Sequence, residues 1–144
     1  MLLKEFFSHA HWIAIIVAAL AYFVLGALWY SALFQKPWVA GHGIKMPTTP
    51  EEKAKAQKGL PMLMIQTFIM GVVMALIIGM FVMALGAMNC MAGIKLGLAL
   101  SVVGAIPLVM SHMYLMKPMS VKIIDAGYHF VGIILMSIII SVWH

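Results

Sequence analysis

Residues 59–94, GLPMLMIQTFIMGVVMALIIGMFVMALGAMNCMAGI, contain no charged side chain, and this stretch decides the class of fold. As one helix it would be about 54 Å long, whereas the hydrocarbon core of a bilayer is about 30 Å thick. The stretch is therefore too long for a single crossing. We predict that it turns within residues 86–93, a segment that begins and ends with glycine.

Three further stretches of the chain also lack charge, and they complete the pattern of a membrane protein. They cover residues 6–35, 96–116 and 126–144. The chain is 65% hydrophobic and 9% charged, against roughly 25% charged residues in a soluble domain. We predict an all-α integral membrane protein, a single domain over residues 1–144, with spans at about 12–34, 61–87, 94–116 and 123–143.

The composition excludes several classes of function. All nine basic residues are lysines in predicted loops, so the net charge of +5 indicates membrane orientation and not nucleic-acid binding. The single cysteine, Cys90, rules out an internal disulfide. No phosphate loop, nucleophile elbow or zinc-protease motif occurs, so we predict no catalytic residue, and no motif implies a cofactor.

The loop at residues 35–60 is the only long connection between the predicted spans. Thr49-Pro50-Glu51-Glu52 fits a capping box with proline at the first helical position. We predict a short amphipathic surface helix over residues 50–58, which Gly59 would end. Its lysines could contact anionic lipid headgroups, or the helix could simply be solvated.

The distribution of lysines predicts the orientation in the membrane. Seven lysines fall in the first and third loops, and only Lys4 and Lys95 fall on the opposite side. Because positive residues are retained in the cytoplasm, the loop at residues 35–60 should be cytoplasmic and both termini non-cytoplasmic. We expect a multi-pass protein of the plasma or inner membrane.

Small residues at four-residue spacing predict how the helices pack, since close approach replaces the hydrophobic effect between helices in lipid. Gly71, Ala75 and Gly79 form one such stripe, and Gly93, Gly97, Ser101 and Ala105 form another. If one stripe serves within the chain and the other between chains, the protein would self-associate. A partner membrane subunit is the alternative.

Polar and aromatic residues from all four spans fall near the predicted cytoplasmic boundary, most of them on stripes that should face the interior. They are Trp29, Tyr30, Gln66, His112, Asp125, Tyr128 and His129. Ionisable residues inside a membrane span are costly and often mark function. We predict a ligand-binding or proton-relay site at this end of the bundle.

Asp125 and His129 are four residues apart, so their side chains can meet on one face of a helix. The pair could act as a proton relay or general base, or it could only anchor the helix. With His112 it would also offer two histidines and a carboxylate to a metal ion, although no spacing motif supports a metal site. The alternatives remain open from the sequence.

Two segments resemble an uncharacterised membrane family, domain of unknown function 1761. They are Gly26-Ala27-Leu28-Trp29-Tyr30-Ser31, with Phe34 and Pro37-Trp38 after it, and Asp125-Ala126-Gly127-Tyr128-His129. The resemblance implies a small four-span protein in which the Trp-Tyr-Ser and Gly-Tyr-His segments belong together. It implies no activity, substrate or cofactor.

The sequence therefore supports three classes of function. The first is a transport- or channel-type protein with a polar site near the cytoplasmic leaflet. The second is a non-catalytic accessory or assembly subunit of a larger membrane complex. A membrane enzyme comes third, because no nucleophile or cofactor motif is visible.

Overall fold

The computed structural model describes residues 2–143, which form helices and no strand. The helices are α1 (Leu2–His9), α2 (Trp12–Leu28), α3 (Gln35–His42), α4 (Pro50–Leu85), α5 (Cys90–Tyr114) and α6 (Met119–Val142), with a π-helical turn, Trp29–Leu33, after α2. Four segments are long and apolar enough to cross a membrane: Trp12–Leu33, Pro50–Leu85, Cys90–Tyr114 and Met119–Val142. The prediction of an all-α membrane protein is confirmed.

The capping box at the start of α4 is present as the sequence predicts. The Thr49 hydroxyl accepts from the Glu52 amide at 3.2 Å, and the Glu52 carboxylate accepts from the Thr49 amide at 3.2 Å. The predicted end at Gly59 is wrong, because α4 continues without a break for 36 residues. Pro61 lies inside the helix and removes one backbone hydrogen bond. The loss of one bond does not end a helix in apolar surroundings, where the other backbone groups must stay bonded.

A tight turn joins α4 to α5 within the segment where the sequence predicts one. Gly86 ends α4 with a φ of 61°, a left-handed conformation that favours glycine. The Asn89 side chain then accepts from the Ala92 amide at 2.9 Å and caps α5. Because the turn is this short, α4 and α5 run in opposite directions.

Helix α6 lies at the centre of the bundle. It packs against α2, α3, α4 and α5, whereas α5 makes its extensive contact with α6 alone. Helix α1 lies against α4 at the end of the bundle remote from α3. The core consequently forms along α6, where Tyr128, Ile133 and Met136 are buried.

Both stripes of small residues pack inside the chain. A Cβ atom added to Gly71 would lie 3.8 Å from the Ala19 carbonyl oxygen of α2, and Ala75 is fully buried. A Cβ atom added to Gly97 would lie 2.7 Å from the Ile134 Cα atom of α6. The premise that one stripe is left for contact between chains is wrong, so self-association loses that support.

Candidate functional site

The site begins where α2 changes to a π-helical turn. The Phe34 amide bonds to the Trp29 carbonyl oxygen, five residues back, at 2.9 Å. Phe34 then leaves the helical conformation with a φ of −126°, and α3 turns back to pack on α6. Such π turns recur at functional sites, where the extra residue redirects side chains.

Asp125 is the centre of a polar cluster at this end of α6, and only 8% of it is exposed. Its Oδ1 atom accepts a hydrogen bond from the Tyr30 hydroxyl at 2.8 Å and another from the Trp38 indole nitrogen at 2.8 Å. Two neutral donors on one oxygen hold the carboxylate in a fixed orientation. They leave its second oxygen for other partners.

Two histidines face that second oxygen. The distance from Asp125 Oδ2 is 3.4 Å to His112 Nε2 and 3.7 Å to His42 Nε2. Neither imidazole is charged unless it carries a second proton, and the buried His42 Nε2 and His112 Nδ1 atoms have no hydrogen-bond partner among residues 2–143. Three groups that each accept a proton therefore lie together inside the bundle.

Glycine and aromatic residues interlock α2 and α6 beside the polar cluster. The Trp29 ring lies against Gly127, where a Cβ atom would be 3.2 Å from it, and its indole nitrogen donates to the Ile124 carbonyl oxygen at 3.0 Å. The Tyr128 hydroxyl lies against Gly26, where a Cβ atom would be 2.8 Å away. The two segments that carry the family resemblance are therefore in direct contact.

One turn farther along α6, His129 makes a second polar contact. His129 does not bond to Asp125. Its Nδ1 atom lies 2.6 Å from the Tyr22 hydroxyl of α2, and the Tyr22 ring packs against Gly132. The hydroxyl of Tyr128 donates to the Tyr22 carbonyl oxygen at 3.2 Å.

The sequence-predicted residues thus divide into two groups. Tyr30 and His112 contact the Asp125 carboxylate, Trp29 packs beside Tyr128, and Tyr128 also borders the groove described next. His129 and the exposed Gln66 instead line a groove between α2, α4 and α6. Among the residues that the structure describes, no three histidine, cysteine or acidic side chains are arranged to hold a metal ion. His129 turns to Tyr22 and so does not join His112 and Asp125 in the three-ligand arrangement considered from the sequence.

Two members of the polar cluster were not predicted from the sequence. Trp38 and His42 belong to α3, which lies in the loop that we assigned to the membrane surface. Their spacing of four residues on a helix was the available signal, and their rings do pack with centroids 4.5 Å apart. The signal alone does not reveal that α3 folds back onto α6.

A comparison with known families gives one match. The family described as "Protein of unknown function (DUF1761)" matches residues 13–141, which include all four long helical segments except Trp12 and Val142. Comparison with curated proteins and with solved structures finds no match.

Proposed function

Since the chain belongs to the DUF1761 family, whose function is unknown, we propose from the site itself that the protein is a small transport-type protein that carries protons across the membrane. The observation that supports this proposal is the buried carboxylate of Asp125, with two imidazole nitrogens within 3.7 Å of one oxygen. A charged group inside a membrane span is costly, and such groups commonly form proton relays in transporters.

The arrangement suits reversible proton binding. Tyr30 and Trp38 hold one carboxylate oxygen whether or not the other is protonated. A proton can reside on Oδ2 or on either imidazole without movement of the backbone. His42 and His112 approach from different helices, so proton transfer between them through Asp125 connects two sides of the cluster.

A transporter fits better than an open channel. Beyond His129, residues 130–136 of α6 are apolar, and the next polar side chain is Ser137. The eight positions from His129 to Ser137 correspond to about 12 Å along a helix, more than a hydrogen bond or one bridging water can span. Proton passage would require the helices to move, as in alternating access.

Proton flux in liposomes tests the proposal. We expect the purified protein to accelerate collapse of an imposed pH gradient, measured with an enclosed pH-sensitive dye and valinomycin to balance charge. Asp125→Asn should return the rate to that of empty liposomes. The asparagine oxygen can still accept from Tyr30 and Trp38, so this variant should remain folded and monodisperse.

Glu51→Gln is the matched control, because it also removes one carboxylate, from an exposed position at the start of α4. Its flux should equal that of the unmodified protein. The proposal is wrong if the unmodified protein gives no flux above empty liposomes, or if Asp125→Asn retains full flux.

An accessory subunit is the second candidate, and the exposed surface of α5 favours it. This helix packs extensively on α6 alone, and Val103, Ile106 and Met113 are each more than half exposed. A partner subunit or a second copy of the chain could cover this face in the membrane. The mass of the complex in mild detergent distinguishes a monomer, a homo-oligomer and a complex with another protein.

We also propose that the Asp125 end of the bundle faces the cytoplasm of a plasma or inner membrane, because seven of the nine lysines lie at that end. The exposed Cys90, the first residue of α5 at the opposite end, is a natural label. An impermeant maleimide should modify Cys90 in intact cells. It should not modify Lys55→Cys in a Cys90→Ser background, and the reverse pattern would invert the topology.

A further inference from the structure

A groove of about 360 Å³ lies between α2, α4 and α6, one helical turn along α6 from Asp125. Tyr22, Tyr128 and His129 form one wall, and side chains from residues 66–74 of α4 form the other. The volume falls in the range of small-molecule sites. The groove lies within the membrane-spanning helices, so a ligand would enter it from the lipid.

The groove is polar at one end and apolar at the other. Gln66 and Thr67 lie at the end nearer the start of α4, whereas Met70 and Met74 lie farther along. From Gln66 to Met74 the helix rises about 12 Å. This gradient matches a molecule with a compact polar head and a hydrocarbon tail that points toward the bilayer centre.

The protonation of His129 determines which head group fits. A phenol is a stronger hydrogen-bond donor than a neutral imidazole, so we assign the Tyr22 hydroxyl as donor to Nδ1, at 2.6 Å. Nε2 then carries the ring proton. Among residues 2–143 it has no hydrogen-bond partner, and it is not among the fully enclosed unpaired polar atoms.

The second donor is the Gln66 amide, on an exposed side chain. The Thr67 hydroxyl already donates to the Leu63 carbonyl oxygen at 2.8 Å, so it has no proton to offer. Two donors face the groove, and none of its lining residues is a lysine, aspartate or glutamate. A neutral head group that accepts hydrogen bonds is therefore favoured over a charged one.

We propose that this groove binds an uncharged, membrane-dissolved carbonyl compound with a hydrocarbon tail, of the class of the alkyl quinones. A carbonyl oxygen of the head accepts from His129 Nε2, Gln66 can donate to a second oxygen, and the tail lies along Met70 and Met74. This inference does not depend on proton transport, because none of these side chains bonds to Asp125.

Photo-crosslinking of the purified full chain in detergent tests the proposal. An azido derivative of decylubiquinone should label peptides from residues 66–74 or 128–129 in a saturable manner. Unlabelled decylubiquinone should compete, and decylbenzene, which has the tail without the carbonyl groups, should not. Equal competition by decylbenzene would reduce the site to a nonspecific apolar surface and overturn the proposal.

Substitution of the two proposed hydrogen-bond donors tests where the head group of the ligand binds. Gln66→Leu and His129→Leu should each weaken decylubiquinone competition about tenfold, the effect of one lost hydrogen bond. Gln57→Leu is the control, since Gln57 is an exposed glutamine on the same helix outside the groove. If His129→Leu does not fold, the exposed Gln66→Leu still decides the result. Unchanged competition in Gln66→Leu, or labelling confined to other peptides, would contradict the assignment.

Discussion

Helix α6 meets α5 on one side and α2 on the other, and glycine serves the two contacts in different ways. On the α5 side, Gly93 and Gly97 allow the helix backbones to approach, with the Ile134 Cα atom against Gly97. On the α2 side, Gly26 and Gly127 each receive part of an aromatic side chain. A side chain can shift to admit a methyl group, but a helix backbone cannot without separating the helices.

The two contacts also differ in whether their buried polar atoms are hydrogen-bonded. In the α2 contact the polar atoms of Tyr22, Trp29 and Tyr30 are all hydrogen-bonded. In the α5 contact the hydroxyls of Ser137 and Ser141 are buried without a partner among the described residues. Apart from the approach of His112 to Asp125 at one end, the α5 contact is therefore specified by shape, and the α2 contact by shape together with hydrogen bonds. A series of single substitutions can separate the contribution of shape from that of hydrogen bonds to the stability of the two contacts.

The largest effect is expected for Gly97→Ala. The new Cβ atom would lie 2.7 Å from the Ile134 Cα atom and 3.2 Å from the Ser137 Cβ atom, so α5 must move away from α6. We expect a loss of about 3 kcal/mol in the free energy of unfolding, the upper part of the usual overpacking range. SDS-induced unfolding in micelles measures it, with Gly59→Ala as control because a Cβ atom added there would have no neighbour within 4 Å outside its own helical turn.

A smaller effect is expected for Gly26→Ala, because only the tip of Tyr128 must move. Its hydroxyl would be 2.8 Å from the new Cβ atom and would lose its bond to the Tyr22 carbonyl oxygen. We expect a loss of about 1 kcal/mol, the value of one hydrogen bond. In a double-mutant cycle Tyr128→Phe should suppress most of the Gly26→Ala effect. Strict additivity would mean that the hydroxyl is not the point of contact.

The smallest effect is expected for Ser137→Ala in the α5 contact. Its hydroxyl is buried without a hydrogen bond, so its removal costs no bond and relieves desolvation. The free energy of unfolding should change by less than about 0.5 kcal/mol or increase slightly. A loss as large as that of Gly26→Ala would show that the serine has a partner and that the α5 contact also uses hydrogen bonds.

The parts of the fold that depend on local physics were predictable. The four uncharged stretches predicted the spans, because lipid requires long apolar helices. The Thr49 capping box predicted the start of α4. The end of that short helix was not predictable, since Gly59 and Pro61 favour a break in water but not in an apolar environment.

The site was predictable in composition but not in its connections. Helical spacing put Asp125 and His129 on one face, yet Tyr22 of α2 binds the histidine and Tyr30 orients the carboxylate. These partners depend on which helices are neighbours, and a single sequence does not contain that information. His42 was missed for the same reason, because its role arises from the return of α3 onto α6.

The unbroken length of α4 has an electrical consequence at the membrane surface. Its charged segment precedes Gly59, and the rise from Gly59 back to Pro50 is about 14 Å. The Debye length at physiological ionic strength is about 8 Å. If α4 crosses the bilayer along its normal and the surface lies near Gly59, Lys58 is within the field of the lipid headgroups and Glu51, near the tip of the helix, is screened from it. Lys58 would then respond to the surface charge of the bilayer, and Glu51 only to the bulk electrolyte.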